Sequence, residues 1–253
     1  MMFDIATVDM TAVYYRNRVP LSGPPLPVTT RVWEYPWAQW VLKNAGIEPP
    51  AALLDVGCGC NPLMVELARR GYQVTGLDKH VKGAPDNPNP TGWGINPDWG
   101  TDTLSLRLGD ATEELPFPNG HFDCVYSISV IEHIEFWTDE DATRQVLREM
   151  CRVTKPGGLL LITEDYTPGP VTNSVLIHAC DLNATKGHRF REHIRAIQNE
   201  GFSFLWPNSR VIPSHEEIDQ MRDTGQLQLC CAEHPDRHYH FTAVGYALIK
   251  ATE

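Results

Sequence analysis

Apolar residues along the middle of this chain change their spacing block by block. Leu53-Leu54-Asp55-Val56 is a short apolar run of the kind a buried strand makes, 62–70 has the spacing of a helix, and 73–77 is strand-like again. The alternation resumes with strand-like 104–108 and 122–129, a helix over 139–153 with Thr138 as N-cap and Asp141 three residues on, and a strand over 159–163. Lys155-Pro156-Gly157-Gly158 is the stop signal between the last two. Phe190, Ile194 and Ile197 mark a further amphipathic helix closed by Gly201, and 202–205 and 240–250 read as the final strands. Alternation of this kind predicts an α/β fold with a parallel sheet covered on both faces.

The flanks and connections read differently. Pro20, Pro24, Pro25 and Pro27 make the first 28 residues an irregular arm with a short helical piece near 11–18, and a helix is expected after Pro36, ended by Gly46 and Pro49-Pro50. The 79–103 segment, with prolines, glycines, Trp93 and Trp99, is too long for an ordinary connection and predicts a lid or a packed Ω-type loop. An insertion over 206–237 has helical character near 215–222. The expected organisation is an arm and helix over 1–50, then one domain over 51–253.

Composition narrows the partners. A formal net charge of −11 argues against a broad grip on nucleic acid or an anionic membrane, and the strip Lys186, Arg189, Arg191 and Arg195 reads as a solvated helix face. No apolar run is long enough to span a membrane, and the seven cysteines form no regular framework, so a soluble cytoplasmic protein with reduced thiols is expected.

The strand at 53–56 ends in Gly57-Cys58-Gly59-Cys60-Asn61-Pro62, and Asp78 closes the next strand. Glycines let a ligand approach the backbone, the helix start offers unpaired N–H groups, and a carboxylate at the second strand tip suits two ribose hydroxyls. Pro62 stands where a dinucleotide fingerprint needs its third glycine, which disfavours a pyrophosphate. Asn61 reads as N-cap and Pro62 as first helical residue.

Residues 53–59 with Asp78 resemble the first two motifs of the class I S-adenosylmethionine-dependent methyltransferases. Gly109-Asp110-Ala111 resembles that family's adenine motif, and Phe122 to Ile134 its fourth-strand signature in the small-molecule, type 11-like branch. The helix, turn and strand from Leu147 to Thr163 match as well. The resemblance implies a Rossmann-like three-layer sandwich, with a mostly parallel seven-stranded sheet and an antiparallel final strand. S-adenosyl-L-methionine is the implied cofactor, held by Asp55, Gly57, Cys58, Gly59, Asp78, Lys79, Asp110, Ala111, Ser127 and Ile128, with Tyr14, Tyr15 or Arg31 folding over its carboxylate.

Methyl transfer needs alignment and, for some acceptors, a base. Glu132 and His133 are the candidates, with Tyr166 beside them and Trp33, Tyr35, Trp37, Trp93, Trp99 and Phe136 as pocket walls. Related enzymes bind a divalent metal through Glu-x-x-Glu-His, but Ser129 replaces the first glutamate here, so no metal is expected. Cys230 to His240 lacks paired Cys-x-x-Cys spacing and reads as a polar loop rather than a zinc site. With Ser127-Ile128-Ser129-Val130 in place of an Asn-Pro-Pro-Tyr segment, O- or aliphatic N-methylation of a small molecule is favoured, with C-methylation open. Cyclisation or elimination consuming the same cofactor, and a non-catalytic sensor, are the alternatives; the sequence names neither the acceptor nor an oligomeric state.

Overall fold

A computed structural model of the chain describes residues 2–5, 30–87, 94–137, 140–166, 190–206, 215–224, 226, 230–234 and 237–252. Strands β2 (Ala52–Val56), β3 (Gln73–Asp78), β4 (Leu104–Leu108), β5 (Phe122–Ile128) and β6 (Thr154–Tyr166) pair in parallel in the order β4-β3-β2-β5-β6. The last strand, β9 (Arg237–Lys250), runs antiparallel to β6, as expected. Its outer edge is covered by β7 (Phe202–Phe204) against Leu248 to Lys250 and by β1 (Met2–Ile5) against Val244 to Ala247.

Strand β1 is a departure from the irregular arm, since four residues are too short to show a period. A second departure is β8 (Cys230–His234), which forms a hairpin ladder with the start of β9 where a loop was expected.

Side chains alternate between the sheet's two faces. On one, Leu53, Cys124, Tyr126 and Leu161 meet α1 (Arg31–Asn44) and α2 (Pro62–Arg69). On the other, Leu54, Val125, Leu160 and Ile162 meet α3 (Ile131–Trp137), α4 (Glu140–Val153), α5 (Phe190–Asn199) and Ile218 of α6 (His215–Asp223). That is the three-layer sandwich.

Helix α1 starts five residues before Pro36 rather than after it. Trp33 and Trp37, one turn apart, stack at 5.3 Å, and Trp37 lies on Gly245 of β9, where a Cβ would stand 2.7 Å from its ring. This burial compensates for the hydrogen bond that Pro36 cannot make. Both tryptophans are thus core residues, not pocket walls.

The long connection after β3 is closed at its base. Ile95 N–H donates to the His80 carbonyl at 2.8 Å, Lys82 N–H donates to that of Ile95 at 2.9 Å, and Val81 and Ile95 form a bridge. Gly94, at φ +94°, packs so closely there that a Cβ would meet the His80 oxygen at 2.7 Å. Trp93 lies outside the described residues.

Candidate active site

The carboxyl ends of β2, β3, β4 and β5 converge on one cavity of about 600 Å³, where open α/β sheets bind their ligands. At β2 the chain turns through Gly57 (φ +74°) and Gly59 (φ +49°). Gly57 and Cys58 N–H both donate to the Leu77 carbonyl, at 2.8 and 3.0 Å, which fastens the turn to β3. Asn61 caps α2, accepting from Leu63 N–H at 2.9 Å, and its amide donates to Asp55 at 3.0 Å.

Asp78 faces this turn. Its two oxygens accept from Gly59 N–H and His80 N–H, each at 2.9 Å, which leaves lone pairs on both oxygens for a diol. Asp110 accepts from the Thr112 N–H at 2.9 Å and hydroxyl at 2.8 Å; burial raises its pKa, but these bonds and Lys79 together hold it below the usual carboxylate range. Lys79, Asp110, Ala111, Cys58, Ile128, Arg31 and Tyr35 all border the cavity with Gly57, Gly59 and Asp78.

Other expected contacts fall elsewhere. Asp55 lies beneath the turn, buried, and burial pushes its carboxyl up to about 8. Ser127 turns its hydroxyl into the core, donating to the Val56 carbonyl at 2.9 Å, because alternation along β5 sends it away from the cavity. Tyr166 is packed edge-on to Phe190 in the core behind α5, which corrects its assignment to the reacting centre. Trp99 packs against the core beside α2. Tyr14, Tyr15 and the Phe136 side chain lie outside what is described.

The β5 end of the cavity is polar, walled by Arg31, Ser129 and His133. Behind it, Glu34 of α1 accepts from the Ser129 and Thr163 hydroxyls, each at 2.6 Å, and pairs with Arg31. Glu34 is fully buried; burial raises its pKa, but Arg31 and the two hydroxyls together bring it below normal. Arg31 in turn stays charged despite burial, because Glu34 and Asp165 raise its pKa. Ser129 holds the left-handed conformation, φ +48°, unusual for a side chain larger than glycine's hydrogen.

Asp165, at the end of β6, accepts from the Thr30 hydroxyl at 3.0 Å and lies 3.2 Å from the Ser129 hydroxyl. Burial raises it to about 6. Glu132 is 4% exposed and does not reach the cavity; one oxygen accepts from Asp165 N–H at 3.0 Å. Burial, with Asp165 and Glu164 adding to it, pushes its pKa well above normal. His133 moves the other way: burial and Arg31 lower it to about 4, so the imidazole is neutral.

Glu34 and Asp165 were not singled out in the sequence. The signal was there for Asp165, since charged residues at the carboxyl end of a sheet strand face the ligand side. Glu34 gave none, because its partners lie at least 95 positions away apart from Arg31.

A glycine turn, a diol-ready carboxylate and a polar far end together define an α/β nucleoside-dependent transferase. A family model described as "Methyltransferase domain" matches residues 54–162. "Ubiquinone/menaquinone biosynthesis C-methyltransferase UbiE" of Laribacter hongkongensis is 31% identical over 195 residues, 75% of this chain and 72% of its own length. The protein of the same name from Hahella chejuensis is 29% identical over 215 residues, 84% and 78% of the two chains. Geranyl diphosphate C-methyltransferase from Streptomyces coelicolor A3(2), solved with Mg2+, geranyl diphosphate and S-adenosyl-L-homocysteine, shares the fold: TM-score 0.51, 16% identity, covering 96% of this chain and 97% of that one. The chain belongs to the class I S-adenosylmethionine-dependent methyltransferases, and S-adenosyl-L-methionine is its cofactor. Among the described residues no helix is long and apolar enough to cross a membrane.

Proposed function

We propose that this methyltransferase transfers a methyl group to carbon in a small phenolic or enolic acceptor, at the carbon next to an ionisable hydroxyl. S-adenosylmethionine, when bound, supplies the electrophilic methyl group. The Gly57 to Gly59 backbone would lie along its amino-acid part, Asp78 would accept from its ribose hydroxyls, and Asp110 with Ala111 N–H would meet its adenine. Arg31 is placed to meet its carboxylate or the acceptor's oxygen.

The observation that carries the reading is the polar wall of Arg31, Ser129 and His133 at the β5 end of the cavity. A neutral imidazole accepts a hydrogen bond from the acceptor hydroxyl and orients it. With a pKa of about 4 it is a weak proton sink against a phenol near about 10, so His133 positions the hydroxyl while the proton leaves to water through the open cavity. The charge of Arg31 then favours the oxyanion, whose electron density is shared with the neighbouring carbon. The similarity to proteins named as C-methyltransferases supports carbon over the O- or N-methylation expected from the sequence.

The test incubates the protein with S-adenosylmethionine carrying a carbon-13 methyl and a panel of phenols, enols and naphthoquinols, and reads the methyl carbon by NMR. A carbon-bound methyl is expected. A label found only on oxygen or nitrogen, or methylthioadenosine released without an acceptor, overturns the reading.

A further inference from the structure

We propose that Glu132, His133 and Asp165 form a divalent-cation site at the polar end of the cavity, and that the cation takes an oxygen of the acceptor as a further ligand. Each of the three residues offers one ligand atom, and these atoms all lie within 4.8 Å of one another. Atoms bound to a common ion at about 2.1 Å sit roughly 3 to 4 Å apart in octahedral geometry, so small side-chain adjustments close the set. Two carboxylates and an imidazole suit Mn2+, Fe2+ or Zn2+.

A feature independent of this clustering points to a cation as its occupant. Glu132 keeps one oxygen on Asp165 N–H, while Oε2 is buried with no hydrogen-bond partner, which protein interiors rarely leave so. The outer contacts orient the ligands as metal sites require: Thr30 holds Asp165, and Asp165 N–H holds Glu132.

Glu132 and His133 follow β5, and Asp165 at the end of the neighbouring strand β6 supplies the third ligand. Of the three residues His133 borders the cavity, with Glu132 and Asp165 buried behind it, so an acceptor oxygen would reach the ion past His133. A cation there lowers the pKa of a bound hydroxyl and supplies the charge that a weakly basic imidazole lacks. This last step rests on the phenolic or enolic acceptor proposed above; the site itself does not.

The test titrates chelator-stripped full-length protein with Mn2+ and follows the free-ion EPR signal and the thermal midpoint. One equivalent should bind and raise the midpoint, with affinity falling at least about tenfold in Glu132→Gln and in Asp165→Asn. Should either variant misfold, His133→Ala, altered at the half-exposed cavity wall, carries the same expectation. Absence of binding by the parent protein, or binding unchanged in the folded variants, overturns the site. C-methylation that persists without Mn2+ binding sinks the site and leaves the acceptor reading standing; Mn2+ bound without any C-methylated product supports the site and sinks the acceptor reading.

Discussion

Ser129 donates its hydroxyl proton to Glu34 at 2.6 Å, tying the end of β5 to a helix 95 positions earlier in the chain. Thr163 and Arg31 complete the ring of donors, so one carboxylate satisfies four side chains' worth of buried polarity with its own. Glu34→Ala should therefore destabilise the protein by about 2 kcal/mol or more, since it leaves two buried hydroxyls and the half-buried Arg31 guanidinium without their acceptor. Urea denaturation measures it. A loss below about 1 kcal/mol would mean that water repairs the site.

The two glycines of the β2 turn should respond unequally to a methyl group. A Cβ on Gly57 would lie 2.4 Å from Val130 Cγ1 as well as at positive φ, whereas on Gly59 the nearest atom is 3.9 Å away. Gly57→Ala is expected to cost about 3 kcal/mol and Gly59→Ala about 1 kcal/mol, mostly backbone strain. Thermal midpoints of the two variants give the comparison. Equal losses would show that the Val130 contact relaxes freely.

Asp78→Ala should weaken S-adenosylhomocysteine binding by about a hundredfold or more, two charge-assisted hydrogen bonds being worth roughly 3 kcal/mol or more together. Calorimetric titration of the folded variant reads it. Binding equal to the parent's would remove the ribose assignment.

The buried carboxyl of Asp55 makes a pH prediction. Its folded pKa is about 8, against about 4 in an unfolded chain, so between those values the unfolded chain has released its proton and the folded protein has not. Stability contributed by this group is complete below pH 4 and declines as pH rises to 8. Asp55→Asn keeps the shape without the titration, so its stability should overtake the parent's in alkaline solution. Parallel stability curves for the two proteins from pH 5 to 9 would contradict this.

The reach of the sequence had physical limits at identifiable places. Strands β2 to β5 and the 159–163 part of β6 were legible as short apolar runs, whereas β6 begins at Thr154 and runs through the turn expected at Lys155 to Gly158; Gly57, Gly59 and Asp78 followed from turn chemistry, and Asp110 and Ala111 from the family resemblance. Helix α3 was not legible, because its seven residues continue the apolar run of β5 almost without a break. Helix α1 was misplaced at its start, since Pro36 reads as a boundary while tertiary packing of Trp33 and Trp37 holds the helix through it. Ser127 was placed by the family resemblance and Tyr166 as an aromatic near the expected base, and alternation along their strands put one hydroxyl in the core and the other ring against Phe190 of α5. The Glu34 and Asp165 network joins distant segments, which local pattern does not register.

Because the His80 carbonyl accepts from Ile95 N–H and Val81 bridges Ile95, the two ends of the long connection are fastened together just beyond β3. Its length and side chains can drift, or be grafted, without moving the carboxylate of Asp78 two residues upstream. Changes beyond these bonds are therefore expected to spare the ribose contact.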